Sequence, residues 1–137
     1  MTETRRPEDE AVPEHRLVRL WATAVNERDD EVLISYSDPE IDVYPLQIAT
    51  VSGHYQGHEG VRRWLVDMEA SQIGHTVTFS GIRSLPDDRV ALFGTVCVEG
   101  KEISPYSLIA TLRDGKVVGM RSYLSDEETM EHLKLLR

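Results

Sequence analysis

In the segment IDVYPL, Asp42 and Tyr44 lie two residues apart. On an extended strand this spacing puts a carboxylate and a phenol on one face, because side chains alternate with period two. A phenol with the usual pKa near 10 is ionised about one time in a thousand at pH 7, so using it as a base costs about 4 kcal/mol before any chemistry. Tyr44 is better suited to donating a hydrogen bond to a carbonyl or a developing oxyanion. Asp42 serves as a base if burial raises its pKa. His54 and His58 flank YQG. Their spacing is that of an i, i+4 metal pair, but Gly57 and the loop context spoil the geometry, and no metal site is expected. His54 is the candidate acid/base group at a pocket rim, with a pKa in the useful range. His58 begins a helix and reads as structural, and His15, His75 and His132 read as solvated. Cys97, the single cysteine, has no partner histidine or cationic helix end in sequence and reads as an inert buried thiol.

Bulk properties narrow the classes of function. The chain has 137 residues, 40% of them hydrophobic, enough for one self-sufficient core. With 24 acidic and 15 basic residues its formal net charge is -9, which repels phosphate backbones and anionic lipids and argues against nucleic acid as a partner. No apolar run approaches the roughly 20 residues of a membrane span. The opening MTETRRPEDE has no apolar signal core behind it, so a cytoplasmic protein is expected. No motif calls for a cofactor.

The elements that must position these side chains follow from periodicity. Residues 1–13 are charged and hold two prolines, which predicts a flexible arm ahead of a single domain over 14–137. Leu17, Leu20, Trp21 and Ala24 fall on one stripe of a first helix. Asp29 or Asp30 caps a short second helix, and IDVYPL is a short strand that Pro45 stops. After a glycine-punctuated loop, HEGVRRWLVDMEAS is a third helix with Val61, Trp64, Leu65 and Met68 on one side. The period then changes. HTVTFSGIRSL, DRVALFGTVCVEG, EISPYSLIATLR and KVVGMRSYLS are strands separated by short hairpin signals, Asp-Gly being the strongest. Ser125 and Glu128 form the capping box of a last helix. Helices first and a meander after predict an α+β fold, with the helices covering one face of a twisted antiparallel sheet.

This order, together with YQGHEGVRRWL and LRDGKVVGMRSYLSDEE, resembles the SnoaL-like branch of the nuclear transport factor 2 superfamily, over about Glu14 to Leu133. The resemblance implies a curved sheet wrapped around three helices as a cone with one deep pocket. It also brings ketosteroid isomerases, limonene-epoxide hydrolases, polyketide cyclases and dehydratases into view, so fold alone selects no reaction. Aligned by eye, the isomerase acids and donor fall at Trp21, Tyr44 and near Ile109, and the hydrolase aspartate falls at Ser122. None of these is the required group, and GTVCVEG has no Arg-x-Asp pair. Neither mechanism is expected to operate.

The resemblance places Tyr44 where such folds keep their base. It implies a pocket wall of Trp21, Trp64, Leu65, Met68, Ile109, Met120, Ser122 and Leu124, with Arg121 and Tyr123 facing outward. The expected partner is a flat hydrophobic small molecule bearing oxygen. Function then divides between acid/base turnover by Tyr44, His54 or Asp42 (an isomerase, cyclase, dehydratase or hydrolase step) and a non-catalytic dimeric binding or scaffold domain. A homodimer is expected through an outward row of Tyr106, Leu108, Ala110 and Leu112, with Ser107, Ile109 and Thr111 turned in.

Overall fold

Helix α1, Pro13–Glu27, starts with proline at its first turn, where the missing N–H costs nothing, and ends where Arg28 adopts the left-handed conformation. Its buried stripe is Val18, Trp21, Ala22 and Ala24. This stripe is rotated slightly from the expected one, and Leu17 packs only at its margin. The Asp29 side chain accepts a hydrogen bond from Val32 N and caps α2, Asp30–Ser35. Strand β1, Ser37–Tyr44, follows, and then a two-residue strand β2, Tyr55–Gln56, and helix α3, Gly57–Ser71. The meander comprises β3 (Thr76–Leu85), β4 (Arg89–Val98), β5 (Lys101–Arg113) and β6 (Lys116–Tyr123). This computed structural model describes residues 12–46 and 53–124. The expected arm (apart from its last residues, where α1 begins), the capping box at Ser125 and His132 lie outside the described residues.

The fold is α+β: three helices lie against a curved six-stranded sheet in the order β2-β1-β6-β5-β4-β3. The sheet is mixed, not wholly antiparallel, because β1 runs parallel to β6. Such a pairing follows from topology. The chain enters β1 before the helix α3 and the meander, and β6 returns beside it.

Strand registers decide which side chains meet the helices. On β1, Ile41 and Val43 are fully buried in the core, so Asp42 and Tyr44 project from the opposite face. Val43 pairs with Met120 and Tyr44 with Arg121, which carries the same division onto β6. On β5, Tyr106, Leu108 and Ala110 belong to the main core, and Leu108 and Ala110 stand opposite Ser122 and Met120. Two expectations are thereby corrected. The row Tyr106, Leu108, Ala110 faces inward, so it cannot serve as the exposed dimer patch. Ile109 lies on the other sheet face, opposite Ala91 and Arg121, and does not line the cone interior. A one-residue change of parity moves every side chain of a strand to the other face. Arg121 is exposed as expected, whereas Tyr123, on the same face, is buried.

Polar contacts tie the helices to the sheet at defined points. The Asn26 amide donates to Val77 O at 2.8 Å and accepts from Val77 N at 3.0 Å, supplying the edge strand β3 with a substitute strand partner. His58 donates from Nε2 to Ser37 O at 2.9 Å, as its structural reading requires. The Arg113 guanidinium reaches Asp38 at 2.9 Å and Glu40 at 2.7 Å, fastening β1 to the β5–β6 hairpin. The Asp38 carboxyl is held below the usual range, first by the Glu40 N–H that it accepts and then by Arg113.

Candidate functional site

Between α1, α3 and the inner sheet face lies a cavity of about 30 Å³. Its wall is aromatic. Trp21 and Trp64 stack with centroids 6.0 Å apart, and Phe79 meets Tyr106 edge-on at 6.4 Å. The inner sheet face adds Leu108, Met120 and Ser122. The volume is far smaller than that of the one deep pocket the resemblance implies. It has room for about two water molecules, against the roughly 300 Å³ or more of a typical ligand pocket. Bulky side chains fill the interior of the cone.

Polar groups interrupt that wall: Asn26, bonded to the Val77 backbone, Arg28, bonded to the Val25 and His75 carbonyls, and three further features. The Tyr106 hydroxyl and Ser122 Oγ are hydrogen-bonded at 2.9 Å, and Ser122 also lies 3.2 Å from Met120 Sδ. Burial pushes the Tyr106 phenol up to about 12, outweighing the opposite pull of the Ser122 bond, so it stays protonated and acts as a donor. Trp64 is 3% exposed, and its Nε1–H finds no hydrogen-bond partner among the described residues. Trp21, by contrast, donates to Ser37 Oγ at 2.9 Å. His75 stands at the margin of the cavity with Nδ1 buried and unpartnered among the described residues. Burial first, and the Arg28 charge second, lower its pKa and keep the imidazole neutral. His75 is therefore half-buried and not the solvated side chain expected of it.

On the opposite face of β1 and β6 the three candidate catalytic residues come together. His54 Nε2 and Asp42 Oδ1 are 2.8 Å apart. The His54 ring stacks on Tyr44 at 4.4 Å with an 8° interplanar angle, and Arg121 Cζ lies 4.1 Å from the centroid of the same phenol. Tyr44 thus contacts both an imidazole and a guanidinium. A recess of about 260 Å³ opens beside Tyr44 and Arg121, lined also by Gly53, Tyr123 and Leu124. Pro45, Leu46 and Ser122 are common to this recess and to the inner cavity, so one thin partition separates the two spaces.

The expected wall residues therefore divide. Trp21, Trp64, Met120 and Ser122 line the inner cavity, and Leu124 lines the recess. Leu65 and Met68 are buried core, with Met68 also reaching a surface dip beside Gln72. Tyr44 does not face the inner cavity, because Ile41 and Val43 take the inward positions of β1. Tyr106 went unrecognised as the interior phenol, although the alternation of YSLIATL already marks it as an inward residue. Among the described residues no group of three or more His, Cys, Asp or Glu side chains could hold a metal ion. Cys97 is half-buried, with Thr78 Oγ1 at 3.9 Å.

No protein-family model matches the sequence, and no curated protein matches it either. Solved structures do match. TerC co-crystallised with polyporic acid superposes with a TM-score of 0.69 at 21% identity, over 89% of this chain and 98% of that one. An NTF2-like protein of unknown function from Cytophaga hutchinsonii gives 0.62 at 17% identity, over 85% of this chain and 94% of that one. The fold is NTF2-like. A protein with a ketosteroid isomerase-like fold from Catenulispora acidiphila, in complex with trimethylamine, gives 0.62 at 15% identity, over 80% of this chain and 85% of that one. At these identities the likeness is one of architecture, so the function of this NTF2-like cone rests on its own side chains. No helix among the described residues is long and apolar enough to cross a membrane.

Proposed function

We propose that this NTF2-like cone binds a small, mainly apolar molecule carrying an oxygen acceptor. The guest occupies the recess and reaches the inner cavity by displacing Leu46 from the partition. The observation that carries the reading is the part-buried Tyr106–Ser122 hydroxyl pair and the indole N–H of Trp64, without a partner among the described residues, on one cavity whose wall is mainly apolar and aromatic. A buried donor without an acceptor costs about 1–3 kcal/mol, which a guest oxygen would recover. A fold neighbour crystallised with polyporic acid gives the reading a precedent. Proton transfer within the inner cavity would fall to His75, whose neutral imidazole is in the accepting form.

Catalysis by Asp42 and His54 is the second reading, favoured by their 2.8 Å contact, which orients an imidazole as a carboxylate does in acid/base sites. It ranks second because neither Asp42 nor His54 lines the recess or the inner cavity. The pair then serves to brace Tyr44.

Calorimetric titration with methyl 2-naphthoate tests the first reading. Tyr106→Phe removes one hydroxyl and should weaken binding by about threefold to tenfold, the worth of a shielded hydrogen bond, with little change in folding. Unchanged affinity in the variant, or no binding to the native protein, would refute it.

A further inference from the structure

The inner cavity and the recess together favour an apolar guest, yet the outer end of the recess carries a full positive charge. Arg121 lines it, with its guanidinium carbon 4.1 Å from the centroid of the Tyr44 ring. Among the described residues it forms an ion pair with no carboxylate. The nearest acid on β1, Asp42, is engaged by His54 at 2.8 Å. In a chain of net charge -9 an arginine at a recess with no carboxylate partner among the described residues is a conspicuous local field. The 4.1 Å approach of Arg121 Cζ to the Tyr44 centroid is a cation–π contact that holds the side chain at the recess. A planar guanidinium carries paired N–H donors that match a carboxylate through two parallel hydrogen bonds. The His54 ring stacks on the phenol, and the same phenol holds the arginine.

We infer that the natural guest is an organic anion: an aromatic or alicyclic acid whose carboxylate, or an equivalent planar oxyanion, is held by Arg121 at the recess mouth. Its apolar body then runs past Pro45 and Leu46 toward Ser122 and Tyr106. This inference rests on the binding reading above and adds the charge of the ligand and the residue that selects it. Charge-assisted hydrogen bonds are stronger than neutral ones, but Arg121 is exposed and solvent screens it, so the preference should be moderate.

The test uses two probes with the same body, 2-naphthoate and its methyl ester, titrated calorimetrically against the full chain at low ionic strength. The native protein should bind the acid about tenfold more tightly than the ester, and the margin should shrink as salt is raised. In Arg121→Gln the ratio should fall to about one, and in Arg121→Lys it should lie between. Arg62→Gln, which removes a charge paired with Glu59 on the far helix α3, should leave the ratio as in the native protein. Circular dichroism establishes that each variant is folded. Equal affinities for acid and ester in the native protein would overturn the anion assignment and leave the binding reading standing. A tenfold ratio that survives Arg121→Gln would overturn the role of Arg121. Absence of binding by either probe would overturn both.

Discussion

Replacing Gly94 with alanine should destabilise the protein by about 3 kcal/mol and lower its melting temperature by roughly 10 °C, a large share of the stability of a domain this size. Gly94 sits mid-strand in β4, between Phe79 of β3 and Tyr106 of β5. A methyl group there would overlap the Thr78 carbonyl oxygen and come within 2.9 Å of Thr78 C and 3.0 Å of Phe79 Cα. These are backbone atoms, so no side chain can swing aside to make room. The register of β3 against β4 also shifts just beyond this point, between Phe79 and Gly81, as a bulge that the close approach requires. Glycine in a strand interior weakens it unless something uses the space. Here the Phe79 and Tyr106 rings meet edge-on across the gap, and both belong to the cavity wall. Gly81→Ala is the control, because its added methyl would meet nothing closer than Phe93 Cδ2 at 4.0 Å. Thermal unfolding of the two variants should separate them clearly. A Gly94→Ala protein as stable as the Gly81→Ala protein would show that β3 and β4 do not approach as described.

Trp21→Ala should cost about 4 kcal/mol in urea unfolding, the range for deleting a buried tryptophan. Trp21 is 1% exposed, stacks on Trp64 and donates its indole hydrogen to Ser37 Oγ. Ser37 Oγ in turn donates to Leu33 O at 2.8 Å, so the side chain joins α1, α2 and the start of β1. Its loss removes apolar burial and one buried hydrogen bond together, and enlarges the cavity on its tryptophan side. A void lined by apolar groups binds apolar molecules, so added indole should restore part of the lost stability. A change below about 1 kcal/mol would remove Trp21 from the core, and with it this account of how α1 is seated.

Much of the architecture was readable in advance. The 3.6-residue stripe around Trp21, the cap at Asp29, the apolar side of α3 and the Asp-Gly hairpin before β6 each depend on neighbours in sequence, and local chemistry is what a sequence displays. The parallel pairing of β1 with β6 joins residues far apart in the chain, and no local signal announces it. The register of β5 is different again, because its signal was present. Tyr106, Leu108, Ala110 and Leu112 alternate with Ser107, Ile109 and Thr111 as a half-buried strand does, and Tyr106, Leu108 and Ala110 are in the core. Placing Ile109 at a relative's functional position reversed that parity. The same holds for β1, where Ile41 and Val43 take the core and leave Asp42 and Tyr44 outside. The meeting of Asp42, His54, Tyr44 and Arg121 joins β1, the residue before β2, and β6, so only the folded register could bring all four together. The size of the cavity was beyond reach as well, because it depends on how four aromatic rings pack.

The central claim is that a guest enters the cone beside Trp64. The chain contains two tryptophans, so a ¹H–¹⁵N spectrum shows two indole N–H signals, one from Trp21, already bonded to Ser37, and one from Trp64, without an acceptor among the described residues. Titration with methyl 2-naphthoate should move the Trp64 indole signal downfield as its hydrogen finds the ester oxygen, while the Trp21 indole signal shifts far less. If both indole signals stay in place at saturating ester, or only backbone amides of the outer sheet face respond, no guest reaches the interior and the claim fails.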